Sequence, residues 1–137
     1  MVETLAAVSG KTAGPDHQVI LRSGKHRFLA DEPEQLHGGD TAPDPYSLLL
    51  AALISCTAIT LKMYAARKGW PLDNAEVECR LLTSGSSALP EIERIIFLHG
   101  ALSVEQKQRL LQIASACPVH KLLSSGISIH SCLKNSD

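Results

Sequence analysis

The sequence predicts an α+β fold, and three observations carry that prediction. No charged residue occurs from Tyr46 to Leu61, and the apolar side chains there run round the whole helix rather than along one stripe. That is the pattern of a helix buried on most sides. Strand-like segments sit before and after it, each close in sequence to a neighbour it can pair with antiparallel. Two further helix starts are marked, one at Ser103 and one at Pro118. The 137 residues amount to a single domain spanning 1–137. A chain of that length can bury roughly two-thirds of its unfolded surface without disulfides or a structural metal.

Taken in order, residues 2–8 alternate loosely and suit an edge strand. Gly14-Pro15 marks a turn. Strands at His17–Arg22 and Arg27–Ala30 flank Ser23-Gly24-Lys25, a hairpin signal. Residues 31–43 carry Pro33, Gly38, Gly39 and Pro43 and read as an irregular loop without a core pattern. Asp44 then stands as an N-cap with Pro45 at the first helical position, and the helix runs to Gly69, a left-handed cap. Residues 74–83 and 91–101 form two strands joined by the loop at 84–90. Ser103 and Gln106 make a capping box for a helix whose apolar face is Leu110, Leu111, Ile113 and Ala114. Pro118 opens a short helix that ends at Gly126, and a last strand follows at 127–132. The predicted order is βββ-α-ββ-α-α-β around a long buried central helix.

Composition excludes several function classes. Hydrophobic residues at 45% and charged residues at 20% describe an ordered domain, not a disordered tail. Thirteen Lys+Arg against fourteen Asp+Glu leave a net charge of −1. Neither a nucleic acid nor a membrane surface is therefore expected as a partner. Aromatic residues at 4% offer few stacking platforms for bases. The N-terminus carries Glu3 and no apolar run, so it does not read as a signal peptide. The expected compartment is the reducing cytoplasm, where cysteines are buried, catalytic or metal-bound more often than paired.

Two of the four cysteines stand out. Cys56 lies mid-helix, beyond the reach of the helix dipole, and burial alone would leave it inert. Cys117 precedes Pro118 and so caps a helix whose free N–H groups favour a thiolate. His120, one turn on, can face that sulfur as donor or base. Cys117 and His120 are also half of a zinc site, but no second closely spaced pair completes it, so neither metal nor cofactor is expected. Cys79 and Cys132 fall in strands as packing or surface thiols. His17, His26, His37, His99 and His130 are scattered and form no motif. There is no phosphate-binding glycine loop, nucleophile elbow or zincin motif. Two such thiols suit a dithiol redox site, if the fold brings them together.

The run GGDTAPDPYSLLLAALISCTAITLKMYAARKGWPL, Gly38 to Leu72, closely resembles the core signature of the OsmC/Ohr family, the osmotically induced and organic hydroperoxide resistance proteins of the stress response. SGKHRFLADEP before it and ACPVHKLL at 116–123 resemble the family's OsmC-like redox branch. The resemblance implies an OsmC-like α+β fold and an intertwined homodimer. It implies that Cys56 is the peroxidatic and Cys117 the resolving cysteine of a thiol-dependent peroxidase. The substrate would be a small organic hydroperoxide or other apolar electrophile, and an external dithiol would recycle the disulfide. Peroxidase branches carry Asn-Pro-Glu, whose Glu holds an activating Arg; here the triplet is Asp44-Pro45-Tyr46, and Ser47 stands where this branch often has Glu. Arg27, and after it Arg22, are the candidates for that Arg, with Tyr46 and His120 as supporting residues. The alternative is a dimeric small-ligand-binding protein with vestigial thiols.

Overall fold

The computed structural model describes residues 2–14, 17–83, 85 and 89–134. The chain divides into two compact units, residues 1–51 and 52–137, with the boundary inside the long helix.

In the first unit, β1 (Ser9–Thr12), β2 (Val19–Ser23) and β3 (His26–Ala30) form an antiparallel meander in that order. Ser23 pairs with His26, which leaves Gly24-Lys25 as a two-residue turn. Gly24 takes φ 59° there, a left-handed conformation that glycine adopts without a Cβ clash. Pro15 and Asp16, in the expected turn at Gly14-Pro15, lie outside the described residues.

The loop at 31–43 is not irregular in its bonding. Asp31 is 3% exposed and its carboxylate accepts from the backbone N–H of Glu32, Gly39 and Thr41 and from Thr41 Oγ1 at 2.6 Å. The Thr41 hydroxyl, then the Glu32 and Thr41 amides, pull its pKa down to about 2. A group with a lowered folded pKa contributes its full stability above the unfolded value, and that stability is lost as pH falls through the folded one. Asp31→Asn puts an amide donor among these donors. The variant is expected to melt roughly 5 °C lower at neutral pH, and the difference from the parent should shrink as the pH falls towards 2. Thermal melts of both proteins across that range check this.

The long helix α1 (Pro45–Lys68) starts and stops where its caps dictate. The Asp44 carboxylate accepts from the Ser47 N–H and hydroxyl. At the other end Gly69, at φ 71°, donates to Ala66 O, and Trp70 donates to Ala65 O, a Schellman closure. By length and composition α1 could also cross a membrane, a property shared by helices that run through the centre of a protein core.

The second unit contains a two-stranded antiparallel sheet of β4 (Asn74–Leu82) and β5 (Glu91–His99), followed by α2 (Val104–Ala114) and α3 (Pro118–Ser125). Burial alternates along both strands, so Ile92, Arg94, Ile96 and Leu98 share the half-buried face. The capping box forms as expected: Ser103 Oγ accepts from the Gln106 N–H, and Gln106 Oε1 accepts from the Ser103 N–H. Leu61, Ala65, Leu72, Leu110 and Ala114 make the core, flanked by Tyr64, Trp70, Ile96 and Ile113.

Four expectations fail. Residues 127–132 form no strand: Ile127 and Ile129 are 69% and 84% exposed, because no strand edge within the described residues pairs with them. Residues 2–8 form no strand either; pairing begins at Ser9, and Val2, Leu5 and Val8 are exposed. The central helix is not buried on most sides. Only Leu53, Thr57, Leu61 and Ala65 are buried, one stripe at every fourth residue, while Ile59 and Met63 are exposed. Leu111 also leaves the apolar face of α2 for solvent.

Candidate active site

Cys56 and Thr57 are consecutive on α1, so their side chains point about 100° apart. Thr57 belongs to the buried stripe and is fully enclosed. Cys56 lies on its edge, half-buried. Cys117 caps α3 and is also fully buried. Its carbonyl accepts from the Lys121 N–H. Pro118 has no N–H, so the first free amides of α3 belong to Val119 and His120. They close no cap hydrogen bond of ordinary geometry on the sulfur, yet both act on it as aimed dipoles.

The structure brings Cys56 and Cys117 together, and each sulfur acts on the other's proton. Both are free thiols. Their environments divide them. Burial, the largest influence on Cys117, pushes its thiol up; the Cys56 S–H, the His120 and Val119 amides and the Thr57 hydroxyl outweigh it and hold Cys117 below the ordinary thiol range. Burial and then Cys117 itself push Cys56 up. Of the two thiols, Cys117 is thus the more acidic and Cys56 the less acidic.

A cleft of about 290 Å³, lined by neither sulfur, has Leu53, Ile92 and Leu123 as apolar walls and Arg94, His120 and Ser124 as polar ones, and so shares His120 with the helix that Cys117 caps. Burial, and after it the Arg94 charge, push the His120 imidazole down, so that ring is neutral at neutral pH. Arg94 Nη1 donates to Thr57 Oγ1 at 3.0 Å, and that hydroxyl donates to Leu53 O at 2.7 Å.

Of the residues singled out from sequence, Cys56, Cys117 and His120 are close to one another, His120 acting on the sulfur through its backbone N–H rather than its ring. Arg27 and Arg22 pair across β3 and β2, and Tyr46 is 69% exposed in the first turn of α1; all three lie in residues 1–51. Cys79 is half-buried opposite Arg94 on β4, where burial pushes its thiol up. Cys132 is exposed. Among the described residues no cluster of three or more His, Cys, Asp or Glu side chains is placed to hold a metal. Sequence reasoning missed Thr57 and Arg94. Arg94 left a signal: it interrupts the apolar alternation Ile92, Ile96, Leu98 with a cation on the same face.

Residues 38–131 match the family model of the OsmC-like protein. The chain belongs to the OsmC-like protein family. The match includes α1, the sheet and the Cys-Pro-Val-His segment that together position the thiols. Solved structures of OsmC-like proteins share the fold. An OsmC-like protein of Mycoplasma pneumoniae is 18% identical with a TM-score of 0.76, covering 90% of this chain and 89% of its own. An organic hydroperoxide resistance protein OsmC from Legionella pneumophila is 17% identical with a TM-score of 0.63, covering 88% and 91%. An OsmC-like hydroperoxide resistance protein from Jannaschia sp. CCS1 is 25% identical with a TM-score of 0.55, covering 93% and 91%. The chain matches no curated protein at a significant level.

Proposed function

We propose that this OsmC-like protein is a thiol peroxidase that reduces small organic hydroperoxides through Cys56 and Cys117. Family membership and the hydroperoxide resistance neighbours support a peroxide-related redox function. The observation that carries the finer reading is the meeting of two free thiols of unequal acidity. Cys56 is the less enclosed sulfur and takes the peroxide oxygen. Its S–O bond forms as the O–O bond breaks, giving a sulfenic acid and an alcohol. Cys117 then displaces the hydroxyl from Cys56, closing a disulfide and releasing water. An external dithiol returns both sulfurs to thiols, which suits a reducing cytoplasm. Cumene hydroperoxide consumption with dithiothreitol as reductant tests the reading: turnover that depends on Cys56 supports it. Equal consumption by the parent and Cys56→Ser would leave a ligand-binding protein with idle thiols.

In the same reading the working form is a homodimer. A single chain leaves Ile59 and Met63 of α1 exposed, together with Val2, Leu5, Ile127 and Ile129 in the unpaired terminal segments. Apolar surface of that extent favours association. Light scattering at micromolar concentration is expected to give twice the 14.7 kDa chain mass; the mass of one chain would refute the dimer.

A further inference from the structure

Three elements wall the 290 Å³ cleft: α1 through Leu53, β5 through Ile92 and Arg94, and α3 through His120, Leu123 and Ser124. On α3 these three stand at i, i+3 and i+4, one face of the helix. On β5 Ile92 and Arg94 are two apart and share the half-buried face. The cleft is close to the lower end of the roughly 300–1,000 Å³ typical of small-molecule sites.

The polar groups in it are unequal. The Ser124 hydroxyl donates to His120 O at 2.8 Å within α3, so its hydrogen is committed. Arg94 is the one charged wall. A guanidinium has five N–H groups, and Arg94 makes one side-chain hydrogen bond, from Nη1 to Thr57 Oγ1 at 3.0 Å. Among the described residues no carboxylate lies within ion-pair distance of it; the ion pairs there are Arg80 with Glu93 and His99 with Glu76. Glu93, next to it on β5, belongs to the exposed face of the strand, and no Asp or Glu lines the cleft. A half-buried cation with free donors and no counter-charge is costly to hold unless an anion completes it.

We propose that this cleft is a binding site for a small monocarboxylate with a short apolar body, the carboxylate received by Arg94 and the body lying on Leu53, Ile92 and Leu123. Arginine presents paired donors that match a carboxylate in a bidentate fork. A single cation matches a single negative charge. The apolar walls exclude water from the rest of the molecule and reward a chain or ring over a second polar group. Neither sulfur lines the cleft, so the ligand is held there without being oxidised in place. The site stands apart from the peroxidase reading and needs no redox step.

The test is titration of the full-length protein with octanoate, followed by calorimetry and by methyl chemical shifts. Octanoate is expected to bind with a Kd of about 0.1–1 mM, shifting Leu53, Ile92 and Leu123. Octan-1-ol, which keeps the chain without the charge, should bind about tenfold more weakly or worse. Arg94→Met should weaken octanoate by a similar factor and leave octan-1-ol unchanged, a split that a merely structural role for Arg94 would not give. Leu123→Glu places a carboxylate in the cleft from a side chain that is 39% exposed, and it should abolish octanoate binding. Circular dichroism confirms that each variant is folded, and Leu123→Glu decides the matter if Arg94→Met does not fold. Equal affinity for octanoate and octan-1-ol, shifts away from the cleft, or undiminished octanoate binding in either folded variant overturns the proposal. Because binding is read without peroxide, its failure leaves the peroxidase reading standing, and a protein that consumes no peroxide leaves this site standing.

Discussion

Cys56→Ser is expected to lower hydroperoxide consumption by on the order of a thousandfold, and Cys117→Ser to stop turnover after one event. The asymmetry follows from the roles. A serine hydroxyl has no accessible anion at neutral pH and cannot reach the sulfenic state, so the first step disappears. Without Cys117 the second step disappears, and the Cys56 sulfenic acid accumulates for dimedone to trap. Acid should weaken the parent reaction as well. The Cys117 thiol lies below the ordinary range, so its thiolate is present above that lowered value and is lost as pH falls through it. The rate is therefore expected to decline as pH falls through the Cys117 midpoint. Stopped-flow measurements of peroxide loss against pH, on the parent and both serine variants, check each part.

Leu110→Ala carries the second large effect. Leu110 is fully enclosed and belongs to the cluster with Leu61, Ala65, Leu72 and Ala114. Removing its branched end should cost about 2–5 kcal/mol, because neighbours on α1 and α2 are helical and cannot collapse freely into the gap. Net stabilities of such domains are about 5–15 kcal/mol, so the variant should lie near the edge of folding at 37 °C. Leu111→Ala is the control one residue away: its side chain is 57% exposed, and the change should move stability by less than about 0.5 kcal/mol. Urea unfolding of both variants separates the two expectations.

Most of this fold was legible wherever the signal was local. Asp44-Pro45, Gly69, Ser103 with Gln106, and Cys117-Pro118 each mark a helix end by chemistry within a few residues, and each forms as read. The segments at 2–8 and 127–132 were misread because alternation shows that a strand is suitable, not that an edge is available to pair with it. The all-round apolar character of α1 was read correctly as composition. One stripe of it is buried within this chain, and the exposed remainder is what the proposed dimer would cover. Asp31 was invisible because its partners Gly39 and Thr41 reach it only once the loop has turned back.

The site was legible by halves. The two cysteines carried motifs, one before Pro118 and one inside the charge-free run from Tyr46 to Leu61. Arg94 carried a weaker mark, a single cation breaking an apolar strand face. Thr57 carried none, since a threonine in a helix also bonds its own backbone four residues back, as it does here to Leu53 O.

The proposed cycle requires the reaction to join Cys56 to Cys117. Peptide mapping by mass spectrometry after one equivalent of cumene hydroperoxide tests that directly. A Cys56–Cys117 disulfide within one chain is expected, reversed by dithiothreitol, with Cys79 and Cys132 still reduced. Peroxide consumed with both Cys56 and Cys117 still free would contradict it.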